Sequence, residues 1–424
     1  MFLTSKEKGM LNGKEGTMVQ EAMEVLVKLG EAFEAKRMLD SDAAHIYSPG
    51  LIAQIYTDKE IDRLWEKIIK ENVRVKCFTT CCASIPDLEV SKEIEGFSDD
   101  FRNRIKKAID LYKKLGVVPT IACAPYLIGI LPQRGQHLEV TESSWWVFVN
   151  SILGACANRG GFSAQYAAIT GKTPEYGMHL KKNRRANKLV KVETEITSPA
   201  DAAALFFLIG KFTDEVWDVP VIEGIQKPLS LEHLKQATGA ISASGAAAMF
   251  HIVGITPEAP TLEAALQEHK PDEIIVIDEA ELKRAYSILS TANTHNVDMI
   301  ILGCPHASIK EIGEIARMLE GKKINPNIRL WIQCLPEQKL LADKCGYTQI
   351  IEQAGGYVLR YTCGVMFGHE RKTQSSIPEQ VNILATNSAK AAYYAPAQYD
   401  WGVWYGNTEQ CIHAAISGRW EDNL

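Results

Sequence analysis

Cys123, Cys304, Cys334 and Cys363 each stand at the carboxyl end of a segment that reads as a β-strand. In open α/β sheets ligands bind in the crevice beyond those ends, so residues far apart in sequence can meet there. Three or four thiolates at one crevice suit a soft metal or an iron–sulfur cluster. The competing reading is that cysteine is a small, commonly buried hydrophobe, and taken singly each of the four fits that description better. Their shared position is what favours ligation. The chain has ten cysteines but no C-x-x-C pair; its one adjacent pair is Cys81–Cys82. Zinc-ribbon and ferredoxin spacings are therefore absent, and any metal site has to be built from distant segments. Cys156 and Cys411 fall in segments that read as helix and core.

The other chemistry-bearing residues carry weaker signals. His45, His137, His179, His251 and His306 form no H-x-x-H or H-E-x-x-H pattern, and each reads more simply as a hydrogen-bonded structural residue. Gly160–Gly161 matches no phosphate loop and reads as a turn. Lys181, Lys182, Arg184, Arg185, Lys188 and Lys191 form a basic run whose default reading is a solvated surface.

Alternating elements must position these groups. Residues 1–70 read mostly as helix, with Ala22, Val25, Leu26 and Leu29 at helical spacing. From residue 71 the pattern becomes strand, helix, strand: a strand over 74–80, then a helix opened by Ser98 and closed by Gly116. A strand over 117–123 follows, weakened by Pro119. Further on, 273–277, 298–304, 328–334 and 357–363 read as strands. Helices are expected over 278–295, from the capping box Ser308-x-x-Glu311 to about Glu320, and over 337–344. The small-residue run 237–248 suits a tightly packed helix. Elements of this length imply right-handed crossovers and a mostly parallel sheet. The domains expected are a helical segment over 1–70, α/β domains over 71–215 and 216–385, and a C-terminal segment over 386–424 that packs back on the first.

The 424 residues suffice for roughly two to three domains. With 46% hydrophobic and 23% charged residues, the chain is an ordinary globular one. A net charge of −6 calls for neither nucleic acid nor an anionic membrane as partner. No uncharged apolar run is long enough to span a bilayer, and the polar N-terminus lacks a secretory signal's apolar core. These features point to the cytosol, where thiols stay reduced.

Longer stretches then carry a resemblance. They include DAAHIYSPG (42–50), TTCCASIPD (79–87), LGVVPTIACAPYL (115–127) and GQHLEVTESSWWVFVNSILGACANRGG (135–161). They continue with AAITGKTPEYGMHLKKNRR (167–185), SGAAAMFHIVGITPEAP (244–260), GCPHAS (303–308), YTCGV (361–365) and ATNSAKAAYY (385–394). In this order they resemble the large, catalytic subunit of aconitase X, a branch of the aconitase superfamily. The resemblance implies an aconitase-like α/β fold of mostly parallel sheets flanked by helices. It also implies an iron–sulfur-dependent hydro-lyase acting on a small hydroxy acid, either cis-3-hydroxy-L-proline or mevalonate 5-phosphate. The first is favoured.

By resemblance the cluster ligands are Cys123, Cys304 and Cys363, with Cys334 left open. Glu142, Arg159 and Lys390 are the expected catalytic residues. His45, Asn158, Arg159, Ser163 and Asn387 are expected to bind substrate. Three departures from the family stand near this set: Cys82 replaces an amide, Gly160 replaces an acid, and Trp145 adds bulk. Aconitase-type enzymes close on a small swivelling domain, so a separate small subunit is expected as partner. The alternative from another class is a non-catalytic cluster-binding or metal-sensing scaffold.

Overall fold

The structure, a computed structural model, describes residues 1–83, 86–90, 97–364 and 381–421. Ser84, Ile85 and Val365 of the segments quoted above lie outside the described residues. The N-terminal region is mostly helical, as its periodicity predicts, with helices Ser5–Leu11, Thr17–Ala32, Pro49–Ile55 and Asp58–Glu71. It also holds two strands that helical spacing did not reveal, β1 (Met38–Asp40) and β2 (Ala43–Ile46). These are too short for a period-2 pattern to emerge from the sequence around them.

β2 lies inside the first sheet. With β3 (Phe78–Cys81), β4 (His137–Val140) and β5 (Cys156–Arg159) it forms a parallel sheet of order β3-β2-β4-β5. Cys156 thus belongs to a strand, not a helix. The 117–123 segment forms no strand: it meets β3 through a bridge between Val118 and Thr80 and through the Ala122 N–H on Cys81 O, and Ile121 turns left-handed between them; Pro119 has no N–H to continue a ladder. Ser98 caps helix Asp99–Leu115 by accepting the Phe101 N–H, and Gly116 closes it at φ 90°. β6 (Lys172–Pro174) pairs antiparallel with β1.

A second parallel sheet contains β7 (Lys188–Val192), β8 (Pro220–Glu223), β9 (His251–Ile252) and β10 (Glu273–Ile277), in the order β10-β7-β8-β9. β7 pairs on both sides with strands from 220–277, so the sheets divide the chain before residue 188 rather than at 215. β10 is an edge strand, which leaves Ile274 and Val276 exposed. Helices Pro199–Lys211 and Leu231–Ser244 pack against one another over this sheet. Their small residues, Ala202, Ala203, Ala204, Ala237, Gly239 and Ala240, permit the close approach.

The third sheet is also parallel, with order β13-β12-β11-β14-β15. Its strands are β11 (Met299–Ala307), β12 (Arg329–Cys334), β13 (Tyr357–Arg360), β14 (Ile383–Thr386) and β15 (Gly402–Tyr405). The Ser308–Glu311 capping box opens helix Ile309–Leu319 as expected. The helix expected over 278–295 is shorter, Glu279–Leu289. Beyond it the chain docks on β15: the Thr291 and Ala292 N–H groups donate to Val403 O, and Trp404 Nε1 donates to Thr294 O. The C-terminal stretch supplies β14's neighbour β15 and helix Thr408–Ser417 to this same sheet. Helix Ala389–Tyr399 alone reaches back toward the first. Among the described residues, no helix is long and apolar enough to cross a membrane.

The basic run is not a solvated face throughout. Arg184 is buried; its Nε donates to both Glu258 oxygens at 3.1 Å, and its other nitrogens donate to Asn150 Oδ1, Asn150 O and Met178 O. Lys188 pairs with Asp218 and Glu273, and Lys191 with Glu223. Lys181 and Lys182 are the exposed members. Arg184→Met removes six hydrogen bonds at once, a further one from Nη2 to Glu258 included, and leaves Glu258 without its guanidinium. We expect it to lower the unfolding free energy by roughly 3 kcal/mol, read by denaturant titration. A loss under about 0.5 kcal/mol, typical of a surface pair, would contradict this account.

Candidate active site

Parallel strands end on one side of each sheet, and the chain leaves those ends carrying reactive groups. Cys82 follows β3, Glu142 lies two residues beyond β4, and Arg159 is the last residue of β5. A left-handed residue one or two positions before each of three cysteines turns the chain there. Cys304 follows Gly303 at φ 89°, where an added Cβ would sit 2.1 Å from Gln333 O. β11 shifts register between Leu302 and Ala307 at this point, the kind of bulge that re-aims a side chain beside an active site. Cys123 and Cys363 come two residues after Ile121 (φ 47°) and Tyr361 (φ 65°). Positive φ is costly for side chains of that bulk, and such strain gathers at functional sites.

The three thiols converge. Cys123 is buried, and its pKa stands well above the ordinary value because of burial, reinforced by the charges of Glu142, Cys363 and Cys304. The His306 N–H donates to Cys123 Sγ at 3.2 Å and works against that rise. Cys304 is also pushed up by burial; Lys390 and Ser388 oppose it. The His306 ring meets Thr362 O at 3.0 Å through Nε2, while its buried Nδ1 has no hydrogen-bond partner. Burial lowers His306 to about 4, so the ring is neutral near pH 7. Sequence reasoning treated this histidine as structural; its place two residues after Cys304 was the available signal.

Glu142 and Lys390 form the polar centre. Glu142 caps helix Ser143–Ser151, taking hydrogen bonds from Ser144 N and Ser144 Oγ. Lys390 Nζ, from the first turn of helix Ala389–Tyr399, donates to Glu142 Oε1 at 2.7 Å and to Ser143 Oγ at 3.3 Å. Burial would raise the Glu142 pKa, but Lys390, Ser144 and Arg159 outweigh it and hold the carboxyl at about 2. Lys390 is pushed up in turn by Glu142 and the neighbouring thiols despite its burial. Arg159 is exposed, and among the described residues its side chain is anchored by Nε donating to Thr141 O at 3.4 Å. His45 is buried with Nδ1 on Thr80 Oγ1 at 2.7 Å and Nε2 unpartnered. Burial takes it to about 4, against the pull of the Glu142 charge. Cys82 Sγ lies 2.9 Å from Thr141 Oγ1 and also feels the Glu142 and Cys123 charges, which places it on the wall of this centre.

Other expected site residues are engaged elsewhere. Asn158 uses both ends of its amide on backbone: Nδ2 donates to Tyr176 O and Oδ1 accepts from Met178 N. Ser163 Oγ donates to Glu139, a buried carboxylate on β4. Asn387 donates to Thr408 Oγ1 and lines a separate cleft with Ser198, Ser230 and Glu409. Cys334 and Cys411 are buried in the hydrophobic core of the third sheet.

The donor set can be tested for what it would hold. Among the described residues, no three His, Cys, Asp or Glu side chains close around a point that suits a single metal ion. Two buried thiols, Cys123 and Cys304, and the half-buried Cys363, close enough for Cys123 to feel the other two without the three closing on one point, and with Cys123 already accepting a backbone N–H, fit a polynuclear iron–sulfur group.

Comparison with known proteins places the chain in a family. Family models for the aconitase X first, second and third domains match residues 1–182, 186–287 and 297–417. The phosphomevalonate dehydratase large subunit of Methanothermobacter thermautotrophicus is 38% identical over 93% of this chain and 94% of its own length. The cis-3-hydroxy-L-proline dehydratase of Hypocrea jecorina is 29% identical over 100% of this chain and 70% of its own. A crystal structure of Thermococcus kodakaraensis aconitase X in its holo-form superposes with a TM-score of 0.83 at 34% identity, covering 98% of this chain and all of that one. The chain belongs to the aconitase X family and is a dehydratase, a hydro-lyase of that family.

Proposed function

We propose that this chain is the cluster-bearing subunit of an enzyme that eliminates water from a small β-hydroxy acid with a single carboxylate, of the cis-3-hydroxy-L-proline kind. The observation that carries the substrate reading is the pairing of cations around the centre. Lys390 is committed to Glu142, and Lys235 to Glu311. Arg159 is left exposed beside Glu142, suited to grip one carboxylate through two parallel hydrogen bonds.

Cys123, Cys304 and Cys363 would hold the iron–sulfur cluster that aconitase-like dehydratases generally use. When bound, such a cluster supplies Lewis acidity toward the departing hydroxyl. The chain's own residues do the rest. Arg159 orients the carboxylate, and with Lys390 it offsets the negative charge that grows there as the α-proton leaves. A carboxylate held at about 2 is a poor proton acceptor near neutral pH. Glu142 therefore fixes the Lys390 ammonium instead of acting as the base. That leaves proton abstraction to a separate small subunit, a partner that also accords with the "large subunit" names of relatives. A second reading, mevalonate 5-phosphate as substrate, is favoured by the higher identity to relatives named for it, 38% against 29%. It would need a phosphate site supplied largely by the partner.

Three tests follow from this reading. Anaerobically purified protein should contain iron and acid-labile sulfide. Cys123→Ser, Cys304→Ser and Cys363→Ser should each lose them along with turnover, while Cys334→Ser and Cys411→Ser keep both; an iron-free chain with full activity would end the proposal. With the small subunit present, the enzyme should dehydrate cis-3-hydroxy-L-proline and leave mevalonate 5-phosphate unchanged, as followed by proton NMR; the reverse preference selects the second reading. Lys390→Met should invert the pH response of Glu142. In the wild type its folded pKa lies below the ordinary 4.5, so its stabilisation is complete above that value and fades as pH falls toward about 2. Without Lys390 burial dominates, and the folded pKa rises. The stability lost in the variant should then be greater at about pH 7 than at about pH 4. Equal losses at both would show that Lys390 does not set the charge of Glu142.

A further inference from the structure

Helix Leu231–Ser244 belongs to the second sheet, yet one of its faces forms the back of the cysteine centre. Lys235 is fully buried. Its Nζ donates to Pro305 O at 3.0 Å, His306 O at 3.0 Å and Glu311 Oε2 at 2.7 Å. Three donors meet three acceptors, which satisfies an ammonium completely. One turn on, Gly239 has no Cβ; one placed there would stand 3.0 Å from Pro305 Cδ and 4.0 Å from Lys390 Cβ. Another turn on, Ser242 Oγ donates to Ser143 Oγ, which also accepts from Lys390. Positions 235, 239 and 242 share one helix face. This face fixes the backbone immediately after Cys304 and underlies the Glu142–Lys390 pair.

A lysine this deeply buried needs a reason beyond filling space. Burying an ammonium costs several kcal/mol and is tolerated only with full pairing; an apolar side chain would pack there without that cost. What the ammonium adds is direction and charge. It draws two consecutive carbonyls, Pro305 O and His306 O, to one side. That turns the His306 N–H the opposite way, toward Cys123 Sγ. It also lays positive charge beside Cys304 and His306.

We propose that Lys235 is a positioning residue for the dehydratase, setting the path of residues 305–306 so that the Cys304 thiol and the His306 N–H face the cluster space together. The inference rests on the reading of Cys123, Cys304 and Cys363 as cluster ligands. Groups that orient metal ligands from outside the ligand set commonly change metal retention or activity by roughly 10–100-fold when removed.

The experiment compares wild type, Lys235→Met, Lys235→Arg, Cys304→Ser and a control, Arg184→Met, that breaks a buried pair outside the cysteine loops. Each is reconstituted anaerobically. Iron and sulfide are measured, the electron paramagnetic resonance spectrum is recorded, and the rate of iron loss to a ferrous chelator is followed together with the melting temperature. Lys235→Met should take up iron but lose it roughly tenfold faster than wild type or more, with an altered resonance line shape. Lys235→Arg keeps the charge but not the geometry and should fall between the two; it carries the test if Lys235→Met does not fold. Arg184→Met should melt lower and retain iron at the wild-type rate. If the Lys235 variants match wild type in spectrum and iron loss while Cys304→Ser loses its cluster, Lys235 is only structural and the proposal is overturned. If wild type itself takes up no cluster, the ligand reading has failed, and this inference falls with it.

Discussion

The backbone and ring of His306 join three stretches of chain that the sequence keeps far apart. The residue lies two beyond Cys304, its N–H reaches Cys123 Sγ, and its Nε2 meets the carbonyl of Thr362, next to Cys363. The Nε2 that meets the carbonyl carries a proton, and burial, which takes the ring to about 4, leaves Nδ1 without one near neutral pH. The site therefore exists only when the first and third sheets stand in their native relation.

The second sheet enters through Lys235, and the first is tied again to the third through Asp87. That fully buried carboxylate accepts from Arg360 N, Nε and Nη2, three residues before Cys363. Lys390 does the same for Glu142 across 248 positions of sequence. In each case a charge buried in one part of the chain is satisfied by another, and breaking such a pair is costly because it strands the partner. The reactive loops are thus held by long-range polar contacts, while the hydrophobic cores hold the sheets beneath them.

Much of this was legible in the sequence. The parallel architecture followed from alternating elements, and most strands from 273 onward lie within a few residues of where their patterns put them. The patterns and the rule for open sheets put Cys123, Cys304 and Cys363 at strand ends; in the structure Cys304 lies within β11, Cys363 three residues beyond β13, and Cys123 after a segment that forms no strand. What misled was local signal without tertiary context. β2 is four residues long and sits inside a helical region, so its role as a sheet strand carrying His45 was hidden. Asn158 was expected to bind substrate because the family resemblance carries it together with Arg159; alternate residues of a strand point to opposite faces, and the Asn158 amide is taken up by Tyr176 O and Met178 N. The basic run read as a surface because sequence cannot show that Glu258 waits for Arg184.

Cys334 marks the division most clearly. By pattern it is indistinguishable from the other strand-end cysteines, yet its side chain enters the core of the third sheet. Residue type, spacing and periodicity determined the fold class and the supply of thiols, because these depend on local backbone preference and burial. Which thiols approach one another, that Arg159 stays exposed, and that Glu142 is held ionised were decided by the tertiary structure alone. Those outcomes depend on left-handed turns at Ile121, Gly303 and Tyr361 and on charges buried against distant partners, and neither is written in any short window of the chain.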